Sequence, residues 1–344
     1  LLPYWENGLN PVDNLKCSQH FSQSAVSRPT ILLAAEQCHE YLAHEHLVIY
    51  EPSKAGQIIL NDLPKLPAIF IIPVFLIAWL SLWLPFAIWG VKKLRWRPFQ
   101  PSSPAQKLPL LAALYFIAPL VLAAVCEVEG VTFAVYGVRW QAELLVSMLA
   151  GFTSGSLGLM LIFWLQSILG WIAWTTSTPD QALPTHAITN GVPQAESMAK
   201  ALGLLLLALW VGWTEELIFR GFLQTQLEPA SIWGTATGVS LFFALLHWVW
   251  EGSPVVLQLP GLWLMGMVLV LARQVDHGSI GLAWGLHAGW VWTIASLETW
   301  QLAQPTGKAP EWLTGYAGRP LAGAIGLGFL LLTAGGLWVT GTVW

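Results

Sequence analysis

Across 344 residues the chain is 55% hydrophobic and only 10% charged, with a formal net charge of −4 and a mean hydropathy of +0.60. Soluble domains carry about 25% charged residues, so too little charge is present to cover a water-facing surface, and lipid must cover much of it. No basic stripe runs beside aromatics, which argues against a nucleic-acid partner; Cys17, Cys38 and Cys126 form neither a CxxC pair nor a disulfide framework.

In chain order, residues 1–63 are mixed in polarity and read as an extramembrane segment, with no charged stretch followed by an apolar run to suggest a signal peptide. Apolar runs follow at about 66–90, 108–126, 144–174, 198–227, 231–250, 255–273, 278–299 and 320–340. Each is near or above the roughly 20 residues that cross about 30 Å of hydrocarbon. The fold expected is an all-α, polytopic transmembrane bundle of about eight helices, integral to a plasma or internal membrane. Its parts would be the 1–63 segment, an N-terminal helical portion 64–197, a core 198–300 and a C-terminal portion 301–344. The 22 tryptophans suit membrane–water interfaces, where the ring is apolar and the N–H stays wet.

The third run carries Gly151, Gly155 and Gly158, which points to a bend or a tilt. In the seventh, Gly281, Gly285 and Gly289 recur every four residues, a stripe that lets a neighbouring helix come close. Residues 175–197 read as a polar loop. Lys92, Lys93, Arg95, Arg97 and Lys107 put the first short loop in the cytoplasm by the positive-inside rule, and alternation puts Lys308 and Arg319 on the same side.

Chemistry enters in the fourth run, which continues through Thr214-Glu215-Glu216-Leu217-Ile218-Phe219-Arg220. A charge at helix centre costs about 2.5–3.5 kcal/mol on insertion scales, so such residues pair and usually serve a function. Glu216 and Arg220 are four apart and share a face; Glu215 is turned about 100° away and lacks an equally placed local partner. Taken alone, the cluster fits either an interhelical ion-pair network or a general base held beside an ion pair. The fifth run adds Phe243 and His247, the seventh His287. At 1.5 Å per residue, Glu215 lies about 21 Å and His247 about 27 Å from the loop near Pro229, and His287 about 15 Å from the loop near His277. One site is geometrically allowed. Elsewhere His39 and His44, around Glu40, are five apart and so about 140° apart on a helix, which rules out an HExxH zinc motif; His46 follows.

Glu215-Glu216-xxx-Arg220, Phe243-xxx-His247 and the later His287 resemble the three motifs of the CAAX protease and bacteriocin-processing (Abi) family of intramembrane proteases, over about 198–300. The resemblance implies an endopeptidase acting on a peptide or protein substrate, lipidated in the eukaryotic branch, within a cavity open to one aqueous side. It implies that Glu215 with His247 activates a water, that Glu216 with Arg220 supports them, and that His287 stabilises the oxyanion. The family pattern has Asn or Asp four residues after the last His. Here that position is Val291, and Thr293 is a substitute donor; Phe243 and Thr293 are the substrate-contacting candidates. A metal-independent mechanism is favoured, because HExxH spacing is absent; a zinc site would draw on Glu215, His247 and His287. A non-catalytic scaffold or bacteriocin-immunity protein, and a proton-coupled carrier, are the competing readings.

Overall fold

The computed structural model describes residues 67–175, 194–228 and 231–343. The histidines of 39–46, Cys17, Cys38 and the 1–63 segment lie outside the described residues, as does most of the 175–197 connection. All eight apolar runs contain a helix: α1 (Ala68–Trp89), α2 (Pro104–Glu129), α3 (Ala142–Ile168), α4 (Gln194–Glu216), α5 (Ile232–Glu251), α6 (Leu259–Val275), α7 (Gly281–Thr299) and α8 (Ala324–Val343). Helix α4 runs on through a π-helical stretch, Leu217–Leu223, into a last turn, Gln224–Leu227.

Seven of these, among the described residues, are long and apolar enough to cross a membrane, with mean hydropathies of 1.4 to 2.4. The protein is therefore an integral, multi-pass membrane protein. Helix α7 is not among the seven. It carries three glycines, three tryptophans and His287, and most of it is buried against α3 and α4. A helix shielded from lipid by its neighbours need not be as apolar as one facing the tails.

The ends of the helices are set by local chemistry. Ser103 and Gln106 form a reciprocal capping box at the start of α2, with Pro104 in the first turn, and Gly130 ends the helix in the left-handed region. At α5 the Ser231 hydroxyl accepts from the Gly234 N–H. Helix α3 is unbroken from Ala142 to Ile168, so its glycines do not interrupt it. They serve contact instead: a Cβ on Gly151 would lie 2.8 Å from the Leu286 nitrogen, and one on Gly155 3.0 Å from the Leu286 carbonyl oxygen. From the other side Gly281, Gly285 and Gly289 leave the same lack of space against Leu144, Met148 and Phe152. The two helices meet backbone to backbone, as small residues permit in lipid. The last part of the third run leaves the helix: β1 (Ile172–Trp174) pairs antiparallel with β2 (Ala303–Pro305).

The two ends of the bundle can be told apart. At one end Ser102 donates to the Trp250 carbonyl at 2.7 Å, Trp83, Trp96 and Trp250 pack together, and Glu251 pairs with both Lys107 and Arg319. At the other, the Ile280 N–H donates to Gly137 at 3.1 Å, and Ser147 donates to Asp276 at 2.7 Å. Outward, the helices present apolar side chains such as Ile77, Leu120, Leu157 and Leu332, the surface that lipid requires.

Candidate active site

Residues Thr214 to Gln224 are buried without a gap, which puts the charged part of α4 at the centre of the bundle. The π-helical stretch begins immediately after Glu216; such widened turns are frequent at functional sites. Glu216 and Arg220, both fully buried, pair at 3.1 Å as their spacing predicts. The guanidinium also lies over the Phe243 ring, 4.7 Å from its centroid, so the aromatic face adds cation–π attraction. Gly266 on α6 makes room for this arrangement: a Cβ there would sit 2.7 Å from Ser240 Oγ and 3.1 Å from Arg220 Nη2.

His287 joins the two carboxylates. Its Nδ1 donates to Glu216 Oε1 at 2.8 Å, the same oxygen that Arg220 holds, and its Nε2 faces Glu215 Oε2 at 3.5 Å. Glu215 finds its partners outside its own helix, from His287 on α7 and from Tyr115 on α2, whose hydroxyl donates to Oε1. Phe243 packs edge-on against both imidazoles, 4.8 Å from His247 and 6.1 Å from His287 between ring centres. Its position is that of a spacer beneath the two rings.

His247 is bonded to neither carboxylate. Its Nδ1 donates to the Phe243 carbonyl at 3.0 Å, which leaves Nε2 without a proton in the neutral ring and free to act as an acceptor. Glu215 and His287 are near enough for their charges to act on it. One helical turn further, Glu251 carries the pairs with Lys107 and Arg319, so His247 lies toward that end of the bundle.

The cluster therefore joins Glu215, Glu216, Arg220 and His287 directly, with Phe243 and His247 against them. Thr293 stands apart. It is buried, but six residues beyond His287 is about 120° round the helix and about 9 Å along it. Tyr115 is the residue that motif spacing missed. Its signal was a phenol in the middle of an apolar membrane helix, Leu-Leu-Ala-Ala-Leu-Tyr115-Phe-Ile-Ala. A hydroxyl there needs a partner, although nothing in the sequence says which. A separate cavity of about 590 Å³, lined by Ile162, Phe163, Ile294, Glu298 and Phe329 among others, shares α7 but none of the clustered residues.

Among the described residues, no three His, Cys, Asp or Glu side chains are grouped so as to hold a metal ion. Nδ1 of His247 and of His287 is engaged, at Phe243 and Glu216, so Nε2 is the nitrogen that each would offer to zinc.

No curated protein and no solved structure matches the chain. Residues 197–293, which contain all the clustered motif residues, match the family described as type II CAAX prenyl endopeptidase, Rce1-like. Through this segment, which spans helices α4 to α7 and less than a third of the chain, the protein is similar to the membrane-embedded CAAX proteases of the Rce1-like kind.

Proposed function

We propose that the chain is an intramembrane endopeptidase in which Glu215 is the general base. The observation that carries this reading is the setting of Glu215: a buried carboxylate near the free-Nε2 imidazole of His247, accepting from the Tyr115 hydroxyl and facing His287 Nε2 at 3.5 Å, with no arginine held against it as Arg220 is against Glu216. Glu216 has the opposite setting. Arg220 and His287 both bond one of its oxygens, which suits a residue that fixes geometry and not one that exchanges protons.

In this mechanism a water held by Glu215 and His247 Nε2 loses a proton to Glu215 as its oxygen attacks the scissile carbonyl carbon. The carbonyl π pair moves to oxygen, which donors of the site stabilise; His287 is among them as an imidazolium, with Nδ1–H on Glu216 and Nε2–H toward the oxyanion. The tetrahedral intermediate collapses as the proton on Glu215 passes to the leaving nitrogen and the C–N bond breaks. No step is routed through a metal. The substrate is a peptide that reaches the site within the bilayer; the family resemblance makes lipidated peptides the first to try.

The test is digestion of a mixed peptide library, including prenylated CAAX peptides, by detergent-purified protein, read by mass spectrometry. Wild type is expected to cleave and Glu215→Gln to be inactive. Equal cleavage by both removes Glu215 from the role. No cleavage by the wild type overturns the protease reading in favour of a scaffold or immunity protein. Incubation with 1,10-phenanthroline is expected to leave the rate unchanged, and inhibition that zinc reverses would overturn the metal-free mechanism.

A further inference from the structure

Peptide hydrolysis needs hydrogen-bond donors at the oxygen that becomes negative. The site described so far supplies one, His287. Val291, one turn along α7, offers no polar atom, and Thr293 is turned away. Tyr115 is the hydroxyl-bearing residue, among the described ones, that hydrogen-bonds a carboxylate of the cluster. We propose that Tyr115, on α2, is the second oxyanion donor and takes the part that Val291 cannot play. The proposal rests on Glu215 being the base.

Three observations support it. The first is position. The phenol touches Glu215, so a carbonyl attacked by a water that Glu215 holds comes within reach of the same hydroxyl. The second is rigidity. Tyr115 is 8% exposed, and its neighbour Phe116 packs on Trp210 of α4, with ring centres 4.8 Å apart. The hydroxyl is thus delivered by a packed helix, as a preorganised donor must be.

The third is the movement of charge. Before attack the negative charge is on Glu215, and the phenol donates to it. When Glu215 takes the water's proton it becomes a poorer acceptor, and the charge appears on the carbonyl oxygen instead. The phenolic hydrogen turns to follow it. The O–H bond stays intact, so Tyr115 gains and loses no proton. When the intermediate collapses and the proton leaves for the amine, the carboxylate is restored and the phenol returns to it.

This inference can fail separately from the protease reading. Cleavage of a fluorophore–quencher prenylated peptide, or of the library peptide cut fastest, would be measured for wild type, Glu215→Gln, Tyr115→Phe, Val291→Asn and the Tyr115→Phe/Val291→Asn double variant. Tyr115→Phe keeps the ring and its packing; a melting temperature within about 3 °C of wild type verifies the fold. Its kcat is expected to fall about 10²–10³-fold with KM within about threefold, the loss typical of one oxyanion donor. Val291→Asn is expected to change the wild type less than about twofold yet to restore the Tyr115→Phe variant at least about tenfold, a coupling that independent sites would not show.

Wild-type kcat in Tyr115→Phe while Glu215→Gln is inactive overturns the role of Tyr115 alone. So does a loss carried by KM, or one that Val291→Asn does not rescue. Failure of the wild type to cleave, or equal cleavage by Glu215→Gln, overturns the reading beneath it as well.

Discussion

At the scale of single residues, the Glu216–Arg220 pair is a structural commitment. Both side chains are fully buried, and removing one partner leaves the other charged away from water. Arg220→Met is expected to destabilise the protein by about 3–5 kcal/mol, the usual consequence of orphaning a buried charge. Adding Glu216→Gln should recover part of that loss. Thermal unfolding in detergent reads both, and a change below about 1 kcal/mol for Arg220→Met would contradict the pairing. This pair was legible in the sequence, since four-residue spacing on a helix fixes proximity without knowledge of the fold. The hydrogen bond between Tyr115 and Glu215 was not. It joins residues 100 positions apart, and no local periodicity reports which face of α2 meets which face of α4. His247 falls between these cases. Its membership of the cluster follows from helix depth, but its Nδ1 goes to its own helix, a detail that spacing leaves open.

At the scale of elements, the α3–α7 contact depends on glycine where backbone meets backbone. A Cβ on Gly285 would collide with the Met148 carbonyl and lie 2.6 Å from the Phe152 nitrogen, and neither atom can move without its helix. Gly285→Ala is expected to lower stability by about 1–3 kcal/mol through overpacking. Gly335→Ala and Gly336→Ala, on the open face of α8, should be neutral or slightly stabilising because alanine favours a helix. Size-exclusion profiles and melting temperatures compare them; equal behaviour at 285 and 335 would refute the contact. The stripe on α7 announced itself in the sequence. Its consequence for α3 did not: there the glycines read as a bend or a tilt, and Gly151 and Gly155 form the other half of the same interface. The ends of the third run were missed for a related reason. Ile172–Trp174 is apolar enough to continue a helix, yet it pairs with Ala303–Pro305, far along the chain.

At the scale of the whole molecule, the number of apolar runs followed from hydropathy alone, and all eight are helical. What hydropathy could not rank was α7, the helix that carries His287. The positive-inside rule and the contacts at the helix ends agree on which loops share a side. Lys107 and Arg319, assigned together by alternation, meet at one carboxylate, Glu251. With the cysteines of 1–63 replaced, Gln100→Cys should react with a membrane-impermeant maleimide only after the cytoplasmic face is opened, and Gln141→Cys should react on intact cells. The reverse pattern would invert the molecule; labelling of both from one side would break the helix order.

The proposed site does not end where the family match ends. Tyr115 and the glycine face of α3 both come from before residue 197, while the motif helices come after it. Cut between residues 175 and 194, the chain would become two polypeptides, each carrying one side of the α3–α7 seam and one end of the β1–β2 pair. Expressed together, such halves should find each other in the bilayer as subunits do. Expressed alone, the motif-bearing half would expose its glycine stripe to lipid and hold Glu215 without its phenol. The motifs are thus not a portable cassette: transplanted without α2 and α3, they would be a sequence signature and not an enzyme.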